Sequence, residues 1–374
     1  MLLAHPLIPP ALDLGSADPE VRLRAVLQFT RQANSPGFLE TLREQRLTCF
    51  LYQTLAQFPR QEVGDVPLLT ELRRDYLAGL RGWKIQEKET NLLMTALAEA
   101  QVEAIVLKGG DIRYRLYDDP VSRPMGDVDV LIPPADLDKV RIILKKLGYL
   151  LLPRDIDRGP NFNARFMWEE MHYCTRYDKV FIDLHWEIRK MGAFYRLPYA
   201  ALRAKATAGA IPGVPWLVLC PEHLLMSLCL NTLEELEQAP IMKLVDLDRA
   251  LRLLPLDWEL FLEDAAVFHI EGALSWVLRE MAKLRPRTVP EFVLGKLSHY
   301  TPGWSEKLIL RRQEGSLLVG FLTSVCRNLP VKEWPAYIKA KVWPNSAFIQ
   351  GNTGTYANRL DYFQHLLRRS QDKT

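Results

Sequence analysis

Residues 102–132 read VEAIVLKGGDIRYRLYDDPVSRPMGDVDVLI, and the reading of the fold turns on them. Glu103-Ala104-Ile105-Val106-Leu107 is a short apolar, β-branched run that stops at Lys108-Gly109-Gly110. That pattern predicts a strand running into a glycine turn. Residues 111–117 carry a short helical pattern, Pro120 and Pro124 bracket a loop, and Asp127-Val128-Asp129-Val130-Leu131-Ile132 predicts a second strand closed by Pro133-Pro134. Further on, 136–147 has helical periodicity with a stop at Gly148, and 149–152 predicts a strand. Residues 173–177 and 180–186 flank Asp178-Lys179 like the arms of a hairpin. Strands and short helices mixed over about a hundred residues predict an α/β or α+β unit.

Side chains alternate across a strand, so Asp127 and Asp129 emerge on one face while Val128 and Val130 turn to the other. Two carboxylates side by side repel and lose hydration unless a cation lies between them. A divalent metal supplies that cation, and Mg²⁺ takes oxygen ligands together with phosphate. A solvated pair on a strand edge is the other reading of D-x-D. Asp183 shifts the balance, because it sits in the apolar run Phe181-Ile182-Asp183-Leu184, where an unpaired charge is expensive. It reads as a third ligand beside Asp127 and Asp129, or as a lone buried acid paired to an arginine or His185. Three carboxylates are what two-metal phosphoryl or nucleotidyl transfer needs, and the third can take the nucleophile's proton. The turn at Gly109-Gly110 complements them, since backbone N–H groups entering a helix suit phosphate and Lys108 adds a charge. An ordinary strand–helix turn is its other meaning, and neither G-x-x-x-x-G-K-[ST] nor G-x-G-x-x-G occurs.

Working outward, the first hundred residues read as helical: a start at Asp18-Pro19-Glu20, a helix over 37–58 and a longer one over 67–100. Helices return over 221–230, 240–254, 257–268, 272–284, 291–299, 315–326 and 358–369. The expected organisation is a helical region over 1–100, a mixed core over 101–213 and a helical domain over 214–374. The chain of 374 residues is 48% hydrophobic and 25% charged, with a formal net charge of +3. So even a balance gives no strong nucleic-acid or membrane field. Five scattered cysteines (Cys49, Cys174, Cys220, Cys229, Cys326) form no C-x-x-C pair, which argues against a disulfide framework or zinc ribbon. No basic, apolar leader precedes the first helix, and 315–326 is too short to span a bilayer, so a soluble cytoplasmic protein is expected.

Leu107-Lys108-Gly109-Gly110, Arg123 four residues before Asp127-Val128-Asp129, and Ile182-Asp183-Leu184-His185-Trp186 resemble the uncharacterised nucleotidyltransferase-like family of the DNA polymerase β superfold. Pro221-Glu222-His223-Leu224-Leu225, Leu244-Val245-Asp246-Leu247 and the 343–369 tail are similar to that family's helical half, so the resemblance covers most of the chain. It implies a mostly helical α+β fold with a small mixed sheet. It also implies that Gly109 and Gly110 hold a triphosphate, that Asp127 and Asp129 bind metal, and that Asp183 completes the triad. Three departures stand out: Asp111 follows the glycines where many active members have serine, the 110–127 loop is longer than in compact members, and Asn231 and Glu235 stand where relatives carry histidine.

Arg123 is a candidate for the triphosphate or for an ion pair with Asp127, and Lys243 for a phosphate or base contact. Lys243 and Asp246, three apart on one helix, otherwise read as a surface ion pair. His185 shares a strand face with Asp183 and is a candidate to orient it. The other histidines are dispersed and predict no zinc site. The basic residues between Lys283 and Arg312 read as an acceptor docking strip or as a solvated face. Tyr195, Trp216, Trp304, Trp334 and Trp343 read as packing residues. The expected function is Mg²⁺-dependent transfer (Mn²⁺ in its place) of an NMP from an NTP to an acceptor. Peptide, small molecule, sugar and RNA end all remain open as acceptors, and an inactive nucleotide- or peptide-binding module is the alternative. Phosphoryl transfer is a third, since similar carboxylate geometry serves it.

Overall fold

In the computed structural model, helices begin where capping chemistry puts them. The Asp18 side chain accepts the Glu20 N–H at 2.9 Å, and Pro19 fills the first turn of helix Pro19–Arg31. Asp257 accepts the amides of Glu259 and Leu260 at the head of Trp258–Phe268. The structure describes residues 5–64, 66–190, 194–209, 211, 214–234, 239–301, 303, 306–307, 330–352 and 355–371. The helix expected over 315–326, with Glu235, Trp304, Arg311, Arg312 and Cys326, lies outside the described residues. The fold is α+β and mostly helical, with short strands.

Two units divide the chain, each assembled from separated segments. The first takes Met1–Met94, Val106–Val128 and Ala206–Tyr300; the second takes Thr95–Ile105, Asp129–Lys205 and Thr301–Thr374. Among the described residues the strands are β1 (Ile105–Val106), β2 (Val128–Leu131), β3 (Tyr149–Leu151), β4 (Glu169–Cys174), β5 (Phe181–His185), β6 (Glu187–Lys190), β7 (Tyr195–Pro198), β8 (Thr207–Ala208) and β9 (Leu217–Val218).

The first unit is largely helical. Its helices Pro221–Glu234, Ile241–Leu253, Trp258–Phe268, Glu271–Leu284 and Glu291–Ser298 match the expected set within a few residues. The single helix expected over 37–58 is instead two, Phe38–Glu44 and Thr48–Leu55. Between them Arg46 takes φ 57°, while Leu47 N–H reaches the Leu42 carbonyl and Arg46 N–H the Arg43 carbonyl. That pair of bonds is a Schellman closure. Arginine holds the left-handed position where glycine is usual, so the sequence carries no stop signal there.

In the second unit the sheet order runs β3-β4-β5-β2. β4 and β5 are antiparallel, with Glu169 opposite His185 and Met171 opposite Asp183. The hairpin arms differ from the expected 173–177 and 180–186, because the Cys174 N–H donates to the Val180 carbonyl at 2.9 Å and closes a wider loop. Val130, Ile182 and Leu184 are fully buried and fix the strand register by their apolar faces. The antiparallel pair β6 and β7 has no counterpart in the sequence reading. No helix of the described residues is long and apolar enough to cross a membrane.

Candidate active site

Alternation along β5 sends Asp183 and His185 to one face, and the neighbouring β2 brings Asp129 to the same place. The His185 Nε2 lies 3.1 Å from Asp129 Oδ1 and 3.1 Å from Asp183 Oδ2. Its Nδ1 lies 3.2 Å from Glu169 Oε2, delivered by the β4 residue directly opposite. The backbone anchors the ring as well, because the Ile132 N–H donates to the His185 carbonyl at 2.9 Å. Asp129, Asp183 and His185 are all buried. Burial works against a charged imidazole, but Asp183, Asp129 and Glu169 outweigh it and hold His185 well above its ordinary value. Carboxylates from β2, β4 and β5 thus meet at one imidazole.

The ligand atoms of Asp129, Asp183 and His185 lie within 4.8 Å of one another. Two buried carboxylates aimed at one spot fit a hard divalent cation such as Mg²⁺ or Mn²⁺. His185, hydrogen-bonded to both, is placed as the partner that orients them. Asp127 is half-buried and immediately precedes β2, in the first unit. The structure therefore brings Asp129 and Asp183 together. The face-sharing argument for Asp127 stops one residue short of it, because the strand begins at Val128.

The glycine turn belongs to the first unit. Lys108 takes φ 45° and ψ −128° just before helix Gly109–Arg115, so the unusual backbone falls on the lysine. The glycines are needed for space. A Cβ on Gly110 would stand 2.6 Å from Val106 Cγ1, and one on Gly109 would stand 3.1 Å from the Met125 side chain. The Gly110 N–H turns back to the Leu107 carbonyl at 3.2 Å. Asp111 is buried and accepts from Arg115 Nη1 at 2.8 Å; burial, only partly offset by Arg115, pushes its carboxyl up to about 6.

Arg123 is held by Asp246. Its Nε lies 3.0 and 2.9 Å from the two carboxylate oxygens of Asp246, and its Nη2 2.7 Å from Oδ2. Asp246 also accepts the Tyr117 hydroxyl at 2.6 Å. The surface-pair reading of Asp246 is thus corrected: it faces inward from helix Ile241–Leu253, which also carries Lys243, and is 1% exposed. Part of the expected basic strip is likewise committed, since Lys283 pairs with Glu280 and Arg285 with Asp13. In the family-like helical half, His223 sits 2.9 Å from Asp264, Glu222 accepts the Asp257 amide, and Asn231 is buried on Pro221–Glu234.

Sequence reading missed Glu169, Gln86 and Arg113. Glu169 was findable only through the β4–β5 register, and the Gln86 and Arg113 side chains reach backbone carbonyls 39 and 10 residues further on, in a stretch without regular structure. A family profile described as uncharacterised nucleotidyltransferase matches residues 32–285, more than half of the chain. The solved structure of the antibiotic-resistance factor ANT(2'')-Ia is similar at 15% identity and a TM-score of 0.30, over 50% of this chain and 96% of that one. Among curated proteins, no match is found.

Proposed function

The chain belongs to the uncharacterised nucleotidyltransferase family and is a transferase by class, and on that premise we propose that it moves a nucleoside monophosphate from an NTP to a hydroxyl or phosphate of an acceptor. One observation carries the reading: Asp129 and Asp183, from separate strands, converge on one buried imidazole. Asp127, Asp129 and Asp183 would hold Mg²⁺ or Mn²⁺. Bound there, a divalent cation supplies charge neutralisation and a lowered pKa for the attacking hydroxyl. The acceptor oxygen attacks the α-phosphorus, the α–β bridging P–O bond breaks, and pyrophosphate leaves. Asp183 takes the proton that a hydroxyl acceptor gives up. Lys108, Gly109, Gly110 and Lys243 hold the nucleotide phosphates, with Arg123 acting from its pair with Asp246.

In this proposal the helical regions over 1–100 and 214–374 flank the catalytic core over 101–213. The acceptor is a peptide, a small molecule, a sugar or an RNA end, and the setting is the cytoplasm. The test incubates the full chain with Mg²⁺ and labelled NTPs against candidate acceptors, reading adduct mass and pyrophosphate release. Asp127→Asn abolishes transfer while far-ultraviolet circular dichroism and melting stay those of the parent; full turnover in that variant sinks the proposal. A phosphoryl rather than nucleotidyl adduct overturns the reaction class.

A second reading is favoured by His185, whose Nε2 already bridges the two acids. On it, the fold is a nucleotide- or peptide-binding module without chemistry. Calorimetry with NTP separates the two, because metal-independent binding without pyrophosphate release supports the module.

A further inference from the structure

The segment Arg123-Pro124-Met125-Gly126 leads straight into Asp127 and has no regular structure beyond the one-turn helix Pro120–Ser122 before it. The first three of its backbone carbonyls are nonetheless taken by side chains. Arg113 Nη2 donates to the Arg123 carbonyl at 3.0 Å, Arg123 Nη1 to the Pro124 carbonyl at 2.7 Å, and Gln86 Nε2 to the Met125 carbonyl at 3.0 Å. The donors are tied to one another and to the helices behind them. Arg113 Nη1 reaches Gln86 Oε1 at 3.4 Å, and Arg123 is clamped by Asp246. Arg113 is 2% exposed, and Gln86, Arg123 and Asp246 are buried with it. Side chains from Leu69–Glu99, Gly109–Arg115 and Ile241–Leu253 thus converge on three consecutive loop residues. Only Gly126, exposed and with open space around it, separates the last held carbonyl from Asp127.

Burying the guanidiniums of Arg113 and Arg123 is a poor route to stability, because apolar side chains of similar volume fill such space at lower cost. What a polar brace does well is fix one loop geometry. We infer that Gln86 and Arg113 are positioning residues for Asp127: they hold the carbonyls of Met125 and Arg123 so that the Asp127 carboxylate is presented for metal binding. This inference rests on the proposed metal role of Asp127. Partners that orient metal ligands from outside change metal affinity by about 10- to 100-fold when removed.

The experiment titrates Mn²⁺ into the full chain and follows free Mn²⁺ by electron paramagnetic resonance, with hydrogen exchange of the 124–130 peptide measured on the metal-free protein. Gln86→Met keeps the volume and removes both hydrogen-bonding ends. It binds Mn²⁺ about tenfold more weakly than the parent and exchanges the 124–130 amides faster, by about the same factor. Arg113→Lys keeps a charged donor and falls between the two, and it serves as the second variant if Gln86→Met does not fold. Asp127→Asn is the control. If it weakens Mn²⁺ binding while folded Gln86→Met and Arg113→Lys leave affinity and exchange unchanged, the positioning role is overturned and the metal role of Asp127 stands. If Asp127→Asn itself leaves Mn²⁺ binding untouched, the metal role of Asp127 fails and the inference with it.

Discussion

Glu169 and Glu170 are neighbours on β4, yet the two faces of the β4–β5 hairpin treat their acids in opposite ways. On one face Glu170 is saturated. Arg141 donates at 2.8 and 2.6 Å, His172 lies at 3.0 Å, and Asn163 donates at 3.3 Å. Burial pushes the Glu170 carboxyl up, but Arg141 and His172 outweigh it and bring it down to about 2. On the other face Glu169, Asp183 and the adjoining Asp129 lie 3.2, 3.1 and 3.1 Å from the His185 ring nitrogens. The first face is a closed network in which each acceptor has its donor. On the second, acids from three strands meet at one imidazole. Burial alone does not separate the two, whereas the partner does: an arginine fork holds Glu170, and a histidine ring meets the acids of the other face.

Breaking the closed face has the largest expected effect. Glu170→Gln leaves Arg141 without its buried counter-ion and costs about 3 kcal/mol of unfolding free energy at neutral pH, read by urea denaturation. The same group gives a pH signature. Its folded value lies below the ordinary 4.5, so its stabilisation is complete above that pH and is lost as pH falls through about 2. The acid limb of the parent's stability curve therefore flattens in Glu170→Gln. Breaking the open face has a smaller effect on the fold. Asp183→Asn, measured in chelator, shifts unfolding by less than about 1 kcal/mol, because it removes one of several like charges and leaves His185 with Asp129 and Glu169. A loss as large as that of Glu170→Gln would make the second face structural and end the contrast. The smallest effect belongs to Glu169→Gln, whose half-exposed carboxylate changes unfolding by no more than about 0.5 kcal/mol in the same measurement.

The parts of the site that depend on alternation along one strand were legible: Asp183 and His185 two apart on β5, and Asp129 between buried valines. Helix starts at Asp18 and Asp257 were legible too, because the cap is written in the residue that makes it. What stayed hidden depends on residues distant along the chain or on backbone states without a residue signature. Arg123 and Asp246 are brought together by tertiary packing, and no local pattern distinguishes an inward-facing Asp246 from a surface partner of Lys243. Glu169 joins the acids only once the hairpin register is known. Arg46 ends a helix through hydrogen bonds that glycine usually signals.

Because both units are stitched from separated segments, neither is complete until late in synthesis. The first possesses Met1–Met94 early but lacks the helices of Ala206–Tyr300 until more than a hundred further residues have been made. Contacts between segments so far apart in sequence close long loops, which places this unit among folds whose assembly is governed by non-local pairing rather than by local helix formation.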